Sequence, residues 1–126
     1  MEQLLRLLVT ESFSRDLNPA QWAALRYLSR ANESARQIGA FATFRRTTPS
    51  SASQTISALV KKGMIVKSRG QDGRSRTLDL TKEGADMLAH DPIMLLSDAI
   101  ESLPSEKRQL LAETMQLLLS RMISER

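Results

Sequence analysis

Apolar residues recur along most of this chain at helical spacing, and give way to alternation in one short region, 64–80. Residues 2–15 crowd Leu4, Leu5, Leu7, Leu8 and Val9 together, predicting a helix that is apolar on more than one face and touches more than its own domain. Asn18-Pro19 then supplies an N-cap with proline at the first helical position. The helix it opens places Trp22, Leu25 and Leu28 on one stripe, with Trp22 read as core. Ser34 is the expected cap of a short third helix carrying Ile38 and Phe41, weakened internally by Gly39. In the stretch 41–63, Thr48 is the expected N-cap, Pro49 the first helical residue and Gly63 the left-handed terminator. Ala52, Ile56 and Leu59 form its buried stripe, and Ser50, Gln54, Ser57 and Lys61 its opposite face.

Residues 64–69 and 76–80 have β-type composition, with Leu78 and Leu80 alternating against Thr77, Asp79 and Thr81. The connector GQDGRS between them has the chemistry of a hairpin tip. Thr81 is expected to cap a helix with Ala85 and Leu88 inward, and Asp91-Pro92 to start another that holds Ile93 to Ile100. A last long helix after Pro104 is again apolar on more than one face. Met87, Met94, Met115 and Met122 read first as core gap-fillers, and otherwise as an adaptable dimer seam or pocket wall. No internal repeat or low-complexity tract is evident. The expected fold is mainly α with a small antiparallel β-hairpin, in a single domain over 1–126.

At 126 residues, 41% apolar and 25% charged, the chain can bury a core and is not disordered by composition. The absence of cysteine excludes disulfides and thiolate metal sites. The single histidine, His90, excludes a histidine-rich metal site and is expected at the surface or as a cap. Carboxylate metal sites stay open, and no metal or other cofactor is expected. No apolar run approaches the roughly 18–20 residues of a membrane span. The N-terminus lacks a small-residue cleavage site, so a cytoplasmic location without membrane attachment is the expectation.

Charge changes the picture more. Residues 36–82 hold ten Lys and Arg against Asp72 and Asp79 alone, a net +8. Residues 1–35 are neutral and 83–126 carry −4, so the overall +4 conceals a strongly basic middle. Cations gathered on one folded unit between neutral and acidic flanks point to a polyanion partner.

Three helices followed by a two-stranded hairpin form a winged helix-turn-helix, whose third helix enters the major groove of DNA. Its small residues Ser50, Ser51, Ser53 and Ser57 suit close approach, and Gln54 has the donor–acceptor pair to read adenine. Thr48 and the amides at the helix start favour a phosphate oxygen. Arg45, Arg46, Lys61 and Lys62 are expected on backbone phosphates, although lysines at a helix C-terminus also stabilise its dipole. Lys67 and Arg69 add charge to the hairpin, and Arg74 and Arg76 are long enough to enter a minor groove. Arg76 has the alternative of pairing with Asp72 or Asp79 within the hairpin.

From Pro19 to Leu88 the chain resembles the MarR family of bacterial winged-helix transcription regulators. The resemblance rests on NPAQWAALRYL, on TISALVKKGMIVK and most specifically on the wing DGRSRTLDLTKEG. Asp72 and Arg74 match the family's Asp-x-Arg signature, which implies an internal brace at Asp72 and a minor-groove contact at Arg74. It also implies a winged-helix core at 17–88 and a homodimer joined through helices in 1–16 and 89–126. The dimer would bind double-stranded DNA at a pseudo-palindromic operator, usually as a repressor, and small phenolic or other apolar ligands often release such proteins. Departures are specific: many members carry a basic residue at the position of Gln54 and another at Ala58, with an acid at Ser57, and the first helix is short. Fewer cations on the reading helix shift the expected affinity onto the wing, Arg45 and Arg46. The lack of cysteine excludes the peroxide-sensing thiol subgroup.

A winged helix can also serve as a protein–protein module without nucleic acid, which the +8 unit and arginine-bearing wing argue against. No glycine-rich phosphate loop or nucleophile arrangement is present, so an enzyme is not expected.

Overall fold

The computed structural model describes the whole chain except residues 12–13, 71–72, 74–75 and 125–126. Its elements run α1 (Glu2–Glu11), α2 (Pro19–Arg30), α3 (Ile38–Arg45), α4 (Pro49–Lys61), β1 (Ile65–Arg69), β2 (Arg76–Leu80), α5 (Lys82–Met87), α6 (Ile93–Glu101) and α7 (Ser105–Ser124). The fold is therefore mainly helical with one two-stranded antiparallel sheet, as the pattern predicts.

Local chemistry sets the helix ends. The Asn18 side chain accepts from the Gln21 amide at 2.8 Å, and Gln21 Oε1 accepts from the Asn18 amide at 2.9 Å, a reciprocal capping box. Thr48 accepts from the Ser51 amide at 3.1 Å and starts α4, with Pro49 at its first position. Gly63 ends that segment at φ +76°, where a side chain would be strained. Between these caps, the inward stripes meet in one core. Trp22, Leu25 and Leu28 of α2 pack with Phe41 of α3, with Ala52, Ile56 and Leu59 of α4, and with Ile65 and Leu78 of the hairpin. Each fully buried large aliphatic side chain there contributes about 1.5–3 kcal/mol, so the stripes, more than propensity, hold α4 in place.

The strands pair in the register Ile65↔Leu80 through Arg69↔Arg76. Two bonds hold their base, one to the segment between α2 and α3 and one across the hairpin itself. The Leu78 amide donates to Arg36 O at 2.7 Å, and the Thr81 amide donates to Met64 O at 3.1 Å. Thr81 also donates its hydroxyl to Gly63 O and accepts from the Gly84 amide, which caps α5.

Several expectations shift. The first helix, expected over about 2–15, is α-helical over Glu2–Glu11, and a 3-10 turn follows at Ser14–Asp16. Ser34 does not cap the third helix, whose N-cap position is Gln37 without a side-chain cap bond; Ser34 lies in a 3-10 turn that Asn32 caps by accepting from the Ala35 amide, and it donates to Asn32. Asparagine reaches the free amide from outside the turn, which Ser34, inside it, cannot. In α5 the inward residue is Gly84 and Ala85 is exposed, because the Thr81 cap fixes the phase of a six-residue helix. Leu88, expected inward, is partly buried against the core in the following 3-10 turn. Thr77, expected on the solvent side of its strand, is buried. Asp79 pairs with Arg36 and not with Arg76. Asp91 is buried against Arg26, and α6 begins at Ile93. Of the four methionines only Met87 joins the core; Met94, Met115 and Met122 are exposed. His90 is exposed.

The chain divides into two compact units, Met1–Pro92 and Ile93–Arg126. The first holds the winged helix. The second holds α6 and α7, and α7 exposes Leu110, Met115, Leu117, Leu118, Leu119, Met122 and Ile123. Among the described residues no helix is long and apolar enough to cross a membrane.

Candidate nucleic-acid interface

With Ala52, Ile56 and Leu59 fixed inward, α4 turns Ser50, Ser51 and Gln54 to solvent, while Ser53 and Ser57 are half-buried on its flanks. This face carries no charge until Lys61, which is exposed at the helix's end. The Thr48 hydroxyl accepts the Ser51 amide as a cap, leaving its proton as the group able to meet a phosphate oxygen. Arg45 ends α3 and Arg46, left-handed at φ 55°, makes the turn into α4; both are exposed. Cations thus stand at both ends of a neutral, small-residue helix face. Lys62 differs from Lys61: its Nζ donates to the Asp16 carbonyl at 2.5 Å, tying the end of α4 to the segment before α2.

On the hairpin, alternation puts Ile65, Lys67 and Arg69 on one face with Arg76, Leu78 and Leu80. Ile65 and Leu78 bury that face at its base, and Arg69 and Arg76 continue it beyond the core, opposite one another and both exposed. Two like charges directly across an antiparallel pair repel, an arrangement that a shared anion relieves. Between α4 and the hairpin, Ser57, Val60, Lys61, Val66 and Lys67 line an open groove of about 600 Å³. At the tip, Gly73 adopts φ +73° and its amide donates to Gly70 O at 3.0 Å. Asp72 and Arg74, the expected brace and tip contact, lie outside the described residues.

Sequence reasoning missed one cluster. Arg36 Nη1 donates to Asp79 Oδ1 at 3.0 Å, and its Nε donates to Ala31 O at 3.0 Å. Ser68 Oγ donates to the other Asp79 oxygen at 3.2 Å. The cation and its acid lie 43 positions apart in the chain, so no spacing rule pairs them. A second missed pair, Arg26 with Asp91, joins α2 to the end of the winged-helix unit. A cavity of about 550 Å³ opens beside it, lined by Arg26, Tyr27, Arg30, Phe44 and Arg45 among others. Phe44 is 66% exposed and packs against Tyr27 in a tilted arrangement, with ring centroids 5.0 Å apart.

Comparison with known proteins fits this geometry. A family model described as MarR family matches residues 15–75. No curated protein matches the sequence significantly. Among solved structures, the Staphylococcus aureus MepR–DNA complex superposes with a TM-score of 0.73 at 14% identity, covering 96% of this chain and 89% of that one. A probable transcriptional regulator from Pseudomonas aeruginosa gives 0.70 at 22% identity, covering 96% and 90%. CouR from Rhodococcus jostii RHA1 bound to p-coumaroyl-CoA gives 0.69 at 16% identity, covering 93% and 84%. At such identities the superpositions establish the fold. The family match runs from the 3-10 turn before α2 through the three-helix unit, β1 and the hairpin connection, and over this stretch of the winged-helix unit the chain is similar to the MarR family of transcription regulators.

Proposed function

We propose that the protein is a sequence-specific DNA-binding regulator that acts in the cytoplasm as a homodimeric repressor on a pseudo-palindromic operator. The observation that carries this reading is the neutral reading face of α4, bracketed by Arg45 and Arg46 at one end and Lys61 at the other, with Arg69 and Arg76 paired on the hairpin beside it. Ser50, Ser51, Ser53, Gln54 and Ser57 would read base edges; Thr48, Arg45, Arg46, Lys61, Lys62 and Lys67 would hold phosphates. Arg69, Arg74 and Arg76 would anchor the wing, with Asp72 as its internal brace. The exposed leucines of α1 and of α7 supply apolar surface for a second copy in helices outside the 17–88 core. MepR, of the same fold, is known bound to DNA. CouR binds p-coumaroyl-CoA, and here the cavity beside Tyr27 and Phe44 offers aromatic walls to a small apolar or phenolic ligand.

The protein–protein module remains the competing reading, and one titration separates the two. Binding-site selection with the wild-type protein should isolate a duplex whose affinity falls steeply with salt. Exchanging both Arg69 and Arg76 for glutamine should flatten the log–log salt slope by about two, at roughly 0.9 per phosphate contact. Failure of the wild-type protein to select or retain any duplex at low salt would return the fold to the protein-binding class.

A further inference from the structure

We infer that Arg36, Asp79 and Ser68 form a positioning device for the wing, one that strengthens duplex binding although Asp79 subtracts charge from the basic unit. The inference rests on the DNA-binding reading. Arg36 makes three contacts that join the end of α2 to β2. Its Nε donates to Ala31 O at the C-terminal end of α2, its own carbonyl accepts the Leu78 amide of β2, and its Nη1 donates to Asp79. Asp79 in turn engages β1 through Ser68, so both strands and the end of α2 converge on one guanidinium–carboxylate pair. Helix α2 packs against α4 in the common core. The pair therefore references the hairpin to the same scaffold that positions the reading helix.

The sheet's two faces divide the work. Ile65 and Leu78 seat the base on the core side, whereas Val66, Ser68, Thr77 and Asp79 lie on the other face. Core packing holds the hairpin at its base, where Thr77 of the other face is buried too, and a tilt about that base is opposed by whatever else grips the strands. A rigid, forked guanidinium bonding on the far face opposes that tilt. What the tilt would move is the outer end, where Arg69 and Arg76 stand. Arg36 and Asp79 are each 36% exposed, so the pair is a weak source of overall stability, and its effect should concentrate in geometry.

Electrostatics and positioning predict opposite signs for one substitution. Asp79→Asn removes a negative charge close to the phosphates, so charge alone demands tighter binding. Positioning demands weaker binding, by about three- to tenfold at physiological salt, with a slope flatter by about one to two as wing contacts disengage. Arg36→Lys keeps the charge but lacks the fork to reach Ala31 O and Asp79 together, and should weaken binding in the same way. The double variant should be no worse than the poorer single one, because both break one device. All variants are titrated against the duplex selected by the wild-type protein, with thermal midpoints measured alongside. Midpoints should stay close to wild type. Tighter or unchanged binding by Asp79→Asn overturns the inference, as does weaker binding with an unaltered slope, the mark of a merely structural loss. A wild-type protein that binds no duplex instead removes the DNA-binding reading beneath it.

Discussion

Gly84 shows how one residue can be dictated by contacts far from its own helix. A Cβ at that position would run into the Met64 carbonyl and crowd Leu80. That carbonyl already accepts the Thr81 amide, so it cannot retreat without breaking the closure at the base of the hairpin. Gly84→Ala should therefore destabilise the fold by about 2–3 kcal/mol, the scale of an overpacked core, although alanine is the better helix former. Urea unfolding gives the value, and a midpoint at or above wild type would mean the two backbones are not in such close contact. Arg26 and Asp91 pose a related case. The Asp91 side chain is only 4% exposed and accepts from Arg26 Nε, a group 65 positions away in the chain.

Helix α4 is the element whose design is most readable. Its cap, its first-turn proline, its buried stripe and its terminal glycine are each evident from residue type and spacing, and each is present in the structure. Burial on one side leaves the other as the surface available to a partner. Gln54 sits there, exposed among serines. Replacing it with alanine should relax the selected operator at one base pair per half-site, where a bidentate contact discriminates by about 1–3 kcal/mol. An unaltered selected sequence would reduce Gln54 to a spacer. The hairpin is legible in composition and alternation, yet its fixings are not. By residue type alone Arg36 is one more cation of the basic unit, and Asp79 a strand residue facing solvent. The contact that joins them spans 43 positions of the chain, and only packing decides which of several arginines arrives.

For the whole molecule, the sequence leaves open what the leucines of the terminal helices cover. In α7, Ala112, Met115, Leu119 and Met122 follow one another at three- and four-residue steps and are all exposed along a 20-residue helix. Such a seam suits knobs-into-holes packing with another helix. Leu119→Glu should place a charge inside the proposed dimer seam and weaken self-association by about a hundredfold, or more if the charge stays dry. Sedimentation equilibrium measures this directly; an unchanged dimer would move the interface off this stripe. The methionines carry the same lesson. From sequence they read first as core filler, but three of the four are exposed, which suits an adaptable seam.

The sequence by itself determined the order and type of the elements, the caps of α2 and α4, the inward stripes and the concentration of charge on the winged unit. All of these follow from local periodicity, backbone chemistry and counting. Tertiary structure decided what depends on which distant groups meet: the Arg36–Asp79–Ser68 cluster on the far face of the hairpin, the burial of Asp91 by Arg26, the commitment of Lys62 to a backbone carbonyl, and the need for glycine at 84. Periodicity reports the face on which a residue lies. It carries no information about the partner waiting there, because closing a long loop is settled by the summed packing of the core and not by the residues at its ends.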